Sequence, residues 1–191
     1  MRPESATRHD LLFNTLKMTD ECQTRNARTD GSESRPYRDH VPTPTLILGV
    51  GNVLVGDEGV GVHAARLLAE EQWPAHVAVL DGGTGGFHLL EYFQSYPRLI
   101  LVDATRDGSP AGTVCCFRAA TPLDCPPALG AHDIGLRDLL AAAALLGHWP
   151  QLQVVTVAVE QLHPMELELS PAVAAALPAV RAKVRELVEA G

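Results

Sequence analysis

Apolar residues after Thr45 fall into short continuous runs separated by amphipathic stretches, which is the pattern of strands alternating with helices. The first run, Leu46–Val50, is bounded by glycine and predicts a strand buried on both faces. Further strands are predicted at Val77–Leu80, Leu99–Val102, Thr113–Arg118 and Val154–Val159. Helices are predicted at Glu58–Glu71, at Phe87–Ser95, at Asp133–Leu146 and after Ser170–Pro171. Repeated β-α units predict an α/β fold with three layers: a mainly parallel, twisted sheet with helices on both faces.

Residues 1–45 lack this periodicity and are rich in Arg, Asp, Glu, Ser and Thr, so they are predicted to form a disordered N-terminal extension. Residues 46–191 are predicted to form one domain. The net charge of −8 falls wholly in that domain, which has sixteen acidic and eight basic side chains. Such a domain repels nucleic acid and anionic membranes, and both are excluded as partners. No apolar run approaches the ~20 residues of a membrane-spanning helix, so membrane insertion is not expected.

The carboxyl ends of parallel strands form the usual functional edge of such a sheet. The turn after the first strand, Gly51–Glu58, reads G-N-V-L-V-G-D-E. A dinucleotide-binding G-x-G-x-x-G would require glycine at position 54, which is Leu54. Two carboxylates also occupy the helix start at which a pyrophosphate would bind. The turn therefore predicts chemistry on a cation, with a dinucleotide enzyme kept as an alternative.

Three side chains of this edge predict a cation site when they are taken together. Glu58 and Asp103 are expected to project from the carboxyl edge of neighbouring strands, and His132 precedes a helix whose N-terminus is expected to approach the same edge. Each alone has a structural explanation: a first-turn acid, a strand-end residue that binds loop amides, and a loop histidine. Two carboxylates and one neutral imidazole suit nickel, zinc or iron and leave coordination positions open. Asp57 is predicted to be the N-cap of the following helix.

Four segments resemble the motifs of one enzyme family, the hydrogenase maturation endopeptidases, in the expected order. L-I-L-G-V-G-N-V-L-V-G-D-E-G-V-G-V at 46–62 is similar to the family's opening motif. V-L-D-G-G-T-G-G at 79–86, L-I-L-V-D-A at 99–104 and H-D-I-G-L at 132–136 resemble the second, third and histidine motifs. The resemblance covers residues 46–191. Ala131 and the long N-terminal segment depart from many members.

The resemblance implies a cytoplasmic endopeptidase, aspartic-type or metal-dependent, with a phosphorylase/hydrolase-like sheet between helices. Its implied substrate and partner is the large-subunit precursor of a nickel-iron hydrogenase, from which it removes a C-terminal peptide. Glu58, Asp103 and His132 match the family's metal-binding and catalytic positions. The implied metal is nickel supplied by the precursor, for which zinc or cadmium would substitute in a crystal.

The loop Asp81, Gly82, Gly83 and Thr84 is predicted to approach the substrate peptide. Three mechanisms stay open: the metal polarises the carbonyl, a metal-bound water attacks, or a carboxylate is the general base for a water. Covalent catalysis is not predicted, because no Ser-His-Asp or Cys-His pairing stands out. A monomer is expected, since the substrate is itself a large protein. The alternative from another class is a nickel carrier without peptidase activity.

Overall fold

The computed structural model describes residues 42–125, 129, 136–162 and 164–190, and in this part of the chain five strands form one sheet. The strands are β1 (Thr45–Gly49), β2 (Val77–Asp81), β3 (Arg98–Thr105), β4 (Val114–Ala119) and β5 (Gln151–Ala158). Their order across the sheet is β2-β1-β3-β5-β4. Only β4 runs antiparallel to its neighbour, and the other pairs are parallel. The mainly parallel sheet predicted from the sequence is confirmed.

The described α-helices lie between and after these strands. They are α1 (Val60–Ala69), α2 (Leu90–Ser95), α3 (Leu136–Leu145) and α4 (Pro171–Glu189). Short 3-10 turns cover Gly56–Gly59, Phe87–Leu89 and Pro122–Asp124. The start of α4 is as predicted: the Ser170 hydroxyl accepts a hydrogen bond from the Val173 N–H at 3.4 Å, and proline follows the cap. None of these helices is both long and apolar enough to span a bilayer.

Two apolar cores, one on each face of the sheet, give the three layers that were predicted. On one face α1 and α4 pack over alternate residues of β3, Ile100, Val102 and Ala104. On the other face α2 and α3 pack over Leu99 and Leu101. This alternation is the two-residue period of a strand that is buried on both sides.

The strand β3 is longer than the four-residue run predicted from its apolar residues. It pairs with β5 along its whole length, from Arg98 to Thr105, whereas β1 accompanies it only as far as Val102. The pattern of apolar residues underestimates β3 because Asp103 and Thr105 are polar but buried within it.

Glycines place the first turn of α1 directly on the ends of the central strands. A Cβ at Gly61 would lie 2.2 Å from the Val50 carbonyl oxygen and 2.3 Å from that of Val102. A Cβ at Gly49 would lie 2.0 Å from the Gly61 carbonyl oxygen. No side chain fits at either position, so these glycines serve helix–strand contact and not phosphate binding. They allow the turn that precedes α1 to lie close to the ends of the central strands.

The described residues cover only part of the predicted division into an N-terminal extension, residues 1–45, and a domain, residues 46–191. The described residues belong to a compact unit that spans Pro42–Gly191. Residues 1–41, on which most of the predicted disordered extension falls, lie outside the described residues.

Candidate active site

Glu58 is a buried carboxylate at the carboxyl edge of the sheet. It lies in the 3-10 turn between β1 and α1, and only 3% of its surface is exposed. Burial raises the pKa of this carboxyl above that of an ordinary glutamate, because desolvation disfavours the charged form. The nearby charge of Arg106 acts in the opposite direction and is the smaller effect. Glu58 therefore holds a proton more readily than an exposed glutamate.

Asp103 is the second buried carboxylate, and it lies inside β3, whereas the sequence predicted that this strand ends there. Asp103 follows Val102, the last residue of β3 that pairs with β1, and it pairs with Thr156 of β5. One carboxylate oxygen accepts a hydrogen bond from the Ala104 N–H at 2.8 Å. By strand alternation with Leu101, Asp103 faces the layer that contains α2 and α3.

The two carboxylates reach the same edge from opposite layers. The 3-10 turn that carries Glu58 packs against β3. One turn later, Gly61 lies against the Val102 carbonyl, which is the backbone group next to Asp103 and also accepts from the Val50 N–H at 3.0 Å. Glu58 and Asp103 therefore lie at the same edge of the sheet, and their action in one site stays a prediction.

His132, the third predicted site residue, lies outside the described residues. Leu129, three positions earlier, is buried and forms a bridge with Thr105, two residues after Asp103. This bridge places Leu129 at the end of β3. Among residues 42–125, 129, 136–162 and 164–190, no group of three or more His, Cys, Asp or Glu side chains is arranged to hold a metal ion.

Asp57 does not cap the helix, so the prediction of an N-cap is wrong. Neither the 3-10 turn nor α1 has a side-chain cap. Asp57 is buried, and its carboxylate accepts a hydrogen bond of 2.6 Å from the backbone N–H of Ser170. That residue is itself the N-cap of α4. Asp57 thus joins the turn Gly51–Glu58, which we call the acidic turn, to the start of the last helix. The two bonded residues are 113 positions apart in the sequence.

The loop after β2 is held by its first residue, Asp81. Its carboxylate accepts from the Gly83 N–H at 3.0 Å and forms an ion pair with Arg66 of α1 at 3.0 Å. The backbone of this loop is also tied to the acidic turn, since the Gly51 N–H donates to the Gly83 carbonyl at 2.8 Å. Gly83 and Gly85 have positive φ, and a Cβ at either would meet open space. Thr84, between them, is exposed. A contact of this loop with substrate stays a prediction.

Two neighbours of the site were missed from the sequence. Arg106 is a cation in a domain that is strongly acidic, and its position three residues after Asp103 was the available signal. The loop 164–170 has no sequence signal, because its backbone N–H and carbonyl groups make its hydrogen bonds to residues 54–57.

Comparison with known proteins identifies the fold and the family. The family model for hydrogenase maturation protease matches residues 62–186. This range includes Asp103 and begins four residues after Glu58. The matched family is one of proteases, so it supports neither the dinucleotide alternative nor the carrier alternative.

Relatives and solved structures agree with the family model. The hydrogenase expression/formation protein HupD of Rhodobacter capsulatus is 38% identical over 158 residues, which cover 76% of this chain and 72% of HupD. The hydrogenase 2 maturation protease of Escherichia coli (strain K12) is 36% identical over 152 residues, 76% of this chain and 92% of that protein. The structure of the hydrogenase maturating endopeptidase HybD from E. coli superposes with a TM-score of 0.66 at 35% identity, covering 77% of this chain and 93% of HybD. The chain therefore belongs to the hydrogenase maturation protease family and is a peptidase.

Proposed function

We propose that this peptidase removes the C-terminal peptide from the large-subunit precursor of a nickel-iron hydrogenase, and that nickel already bound to the precursor is the feature it recognises. The observation that carries the proposal is the pair of buried carboxylates, Glu58 and Asp103, at one edge of the sheet in a member of this family. Carboxylates that are costly to bury are retained where a cation or a reaction requires them.

The proposed recognition set is Glu58, Asp103 and His132. Two carboxylates and one imidazole are donors that accept a divalent first-row metal. Two of the three residues are described, and the bridge between Leu129 and Thr105 supports the approach of His132 to the same edge. Since the nickel belongs to the precursor, the peptidase needs only a few donors on the side that the precursor leaves open.

The reaction is hydrolysis by a water molecule. The water oxygen bonds to the scissile carbonyl carbon and gives up a proton, the C–N bond breaks, and the leaving nitrogen takes a proton. The raised pKa of Glu58 favours this carboxylate as the general base, because a base is most effective when its pKa approaches the working pH. Polarisation of the carbonyl by the precursor's nickel is the competing arrangement.

The deciding experiment mixes this protein with the large-subunit precursors of the same organism, purified with and without nickel. We expect C-terminal shortening of a nickel-loaded precursor, seen by intact mass, and none of the nickel-free form. Shortening of both forms would remove nickel as the recognition feature. Shortening of neither would contradict the proposed function.

Calorimetric titration separates the peptidase from a nickel carrier. A carrier binds free nickel tightly and stoichiometrically. The proposed peptidase binds free nickel weakly, because most of the metal's ligands come from the precursor.

Replacement of His132 by alanine tests the third member of the set. We expect His132→Ala to abolish shortening of the nickel-loaded precursor and to leave the far-ultraviolet circular dichroism unchanged. His148→Ala is the matched control, because His148 is exposed and precedes β5 at the opposite edge of the sheet. Full activity of His132→Ala would remove this histidine from the site.

We also propose that the protein acts in the cytoplasm as a monomer that binds its precursor transiently. The family resemblance supports the location, and the size of the substrate supports the monomer. Sedimentation at micromolar concentration tests the monomer directly.

A further inference from the structure

Three exposed apolar side chains lie on the turn Gly51–Glu58 and on the loop between β5 and α4. Leu54 is 55% exposed, Met165 is 87% exposed and Leu167 is 60% exposed. Leu54 precedes Glu58 by four residues, and the other two belong to the loop between β5 and α4. Exposed apolar residues that stand alone are ordinary, but a group of them at a functional edge marks a contact surface. We call Leu54, Met165 and Leu167 the apolar rim.

The two loops of the apolar rim are joined by backbone hydrogen bonds. The Met165 N–H donates to the Leu54 carbonyl at 2.8 Å, and the Gly56 N–H donates to the Glu166 carbonyl at 2.7 Å. The bond from Ser170 to Asp57 completes the junction. The apolar rim and the turn that carries Glu58 are therefore one continuous piece of structure.

Met165 is held in a conformation that methionine rarely adopts. Its φ is +69°, and it is the one non-glycine residue with positive φ in the described part of the chain. The left-handed conformation is unfavourable for a residue with a Cβ. Strain of this kind collects at functional sites. Met165 is also 87% exposed, so the fold gains little from burial of its side chain.

Charge completes the description of this surface. The two loops, residues 51–58 and 159–170, contain five carboxylates and no lysine or arginine. Glu160, Glu166 and Glu168 are exposed. A partner that covers the apolar rim must supply apolar contact in the centre and positive charge around it.

We propose that the apolar rim is the docking surface for the protein substrate, and that the docked segment presents an apolar side chain flanked by lysine or arginine. The inference rests on the proposed function, because the occupant is the precursor whose peptide bond is cut. The continuity between the rim and the Glu58 turn favours the substrate over any other partner. A segment bound to Leu54 and Met165 lies beside the carboxylates that act on it.

The test measures cleavage of nickel-loaded precursor at increasing precursor concentration. Asparagine tolerates positive φ, so Met165→Asn removes the apolar contact without adding strain. We expect its KM to rise about tenfold, equivalent to ~1.4 kcal/mol of binding, with kcat unchanged, since docking stabilises ground state and transition state alike. We expect its unfolding free energy to equal or exceed that of the wild type.

The matched control is Leu145→Asn. Leu145 is 88% exposed, as Met165 is, but it ends α3 at the opposite edge of the sheet. Its KM should equal that of the wild type. A charge test adds Glu168→Gln, which should reduce the rise of KM with salt.

The outcomes separate the docking proposal from the proposed function. If the wild type cuts the precursor and Met165→Asn has an unchanged KM, the docking surface is refuted and the proposed function stands. If Met165→Asn and Leu145→Asn raise KM equally, the effect is not local and the docking surface is again refuted. If the wild type cuts no precursor, both proposals fail.

Discussion

Single buried carboxylates at the edge of this sheet carry a cost in stability. Glu58 and Asp103 are almost fully buried, although a buried carboxylate is costly unless it is neutralised or paired. Asp57, next to Glu58, has a structural role through its bond to Ser170. Adjacent acids of one motif therefore have different surroundings: Asp57 accepts a hydrogen bond from Ser170, and burial raises the pKa of Glu58.

The raised pKa of Glu58 predicts how stability depends on pH. The pKa of this carboxyl is higher in the folded protein than in the unfolded chain. Its contribution to stability is therefore fully present at pH values below the unfolded-state pKa. The contribution is lost as the pH rises through the folded-state pKa. Glutamine cannot ionise. The midpoint of urea unfolding of Glu58→Gln should therefore rise relative to that of the wild type as the pH increases from about 4 to 8. Glu91→Gln, at an exposed acid of α2, is the control and should show no such trend. A difference for Glu58→Gln that does not vary with pH would contradict this expectation.

Replacement of Asp57 should lower the free energy of unfolding for a different reason, the loss of a hydrogen bond. Asp57→Ala removes the acceptor of the Ser170 N–H and leaves that donor in a partly buried position. The loss should be about 1–3 kcal/mol in urea unfolding. Asp57→Asn keeps an acceptor oxygen and should lose less. Equal stability of the two variants would show that the hydrogen bond contributes nothing measurable.

Among the elements, the contact of α1 with the strand ends decides where the acidic turn lies. Gly49 and Gly61 let the helix backbone touch the strand backbones, so Glu58, one turn before Gly61, sits close over β3. In dinucleotide-binding proteins similar glycines serve a phosphate. Here the same residue type brings a carboxylate to the sheet.

This packing predicts that Gly61→Ala is strongly destabilising. The new methyl group would overlap two carbonyl oxygens of the backbone, and neither can rotate away. We expect a loss of about 3 kcal/mol in urea unfolding, at the upper end for an overpacked core, together with reduced precursor cleavage. Gly86→Ala is the control, because its Cβ would meet only the His88 side chain, at 3.3 Å. A loss below ~1 kcal/mol for Gly61→Ala would mean that α1 shifts easily.

At the scale of the whole molecule, the sheet and its layers could be predicted because buried parallel strands have continuous apolar runs. The position of Glu58 and Asp103 at one edge could also be predicted, since strand ends of a parallel sheet share one edge. The role of Asp57 could not, because its partner is a backbone N–H 113 positions away and leaves no mark in the sequence. The length of β3 was underestimated for a related reason: Asp103 and Thr105 are polar residues that tertiary structure buries, and no local pattern reports that burial.

The position of the core predicts that residues 1–41 are dispensable for folding. The buried positions of the described part lie between Thr45 and Val188. A chain that begins at Pro42 should therefore keep the unfolding free energy of the full chain to within about 0.5 kcal/mol, the range of changes remote from a core. It should also keep its precursor cleavage. A loss above ~1 kcal/mol, measured by urea unfolding, would show that the first 41 residues support the domain.

The bond between Asp57 and Ser170 also orders events during biosynthesis. The acidic turn is made early, but the residues that fix it, 165–170, leave the ribosome after all five described strands have been synthesised. Contacts between distant parts of a chain form slowly, and they require both parts to be present. The acidic turn therefore gains the hydrogen bonds from residues 165–170 only after the strands of the sheet have been synthesised.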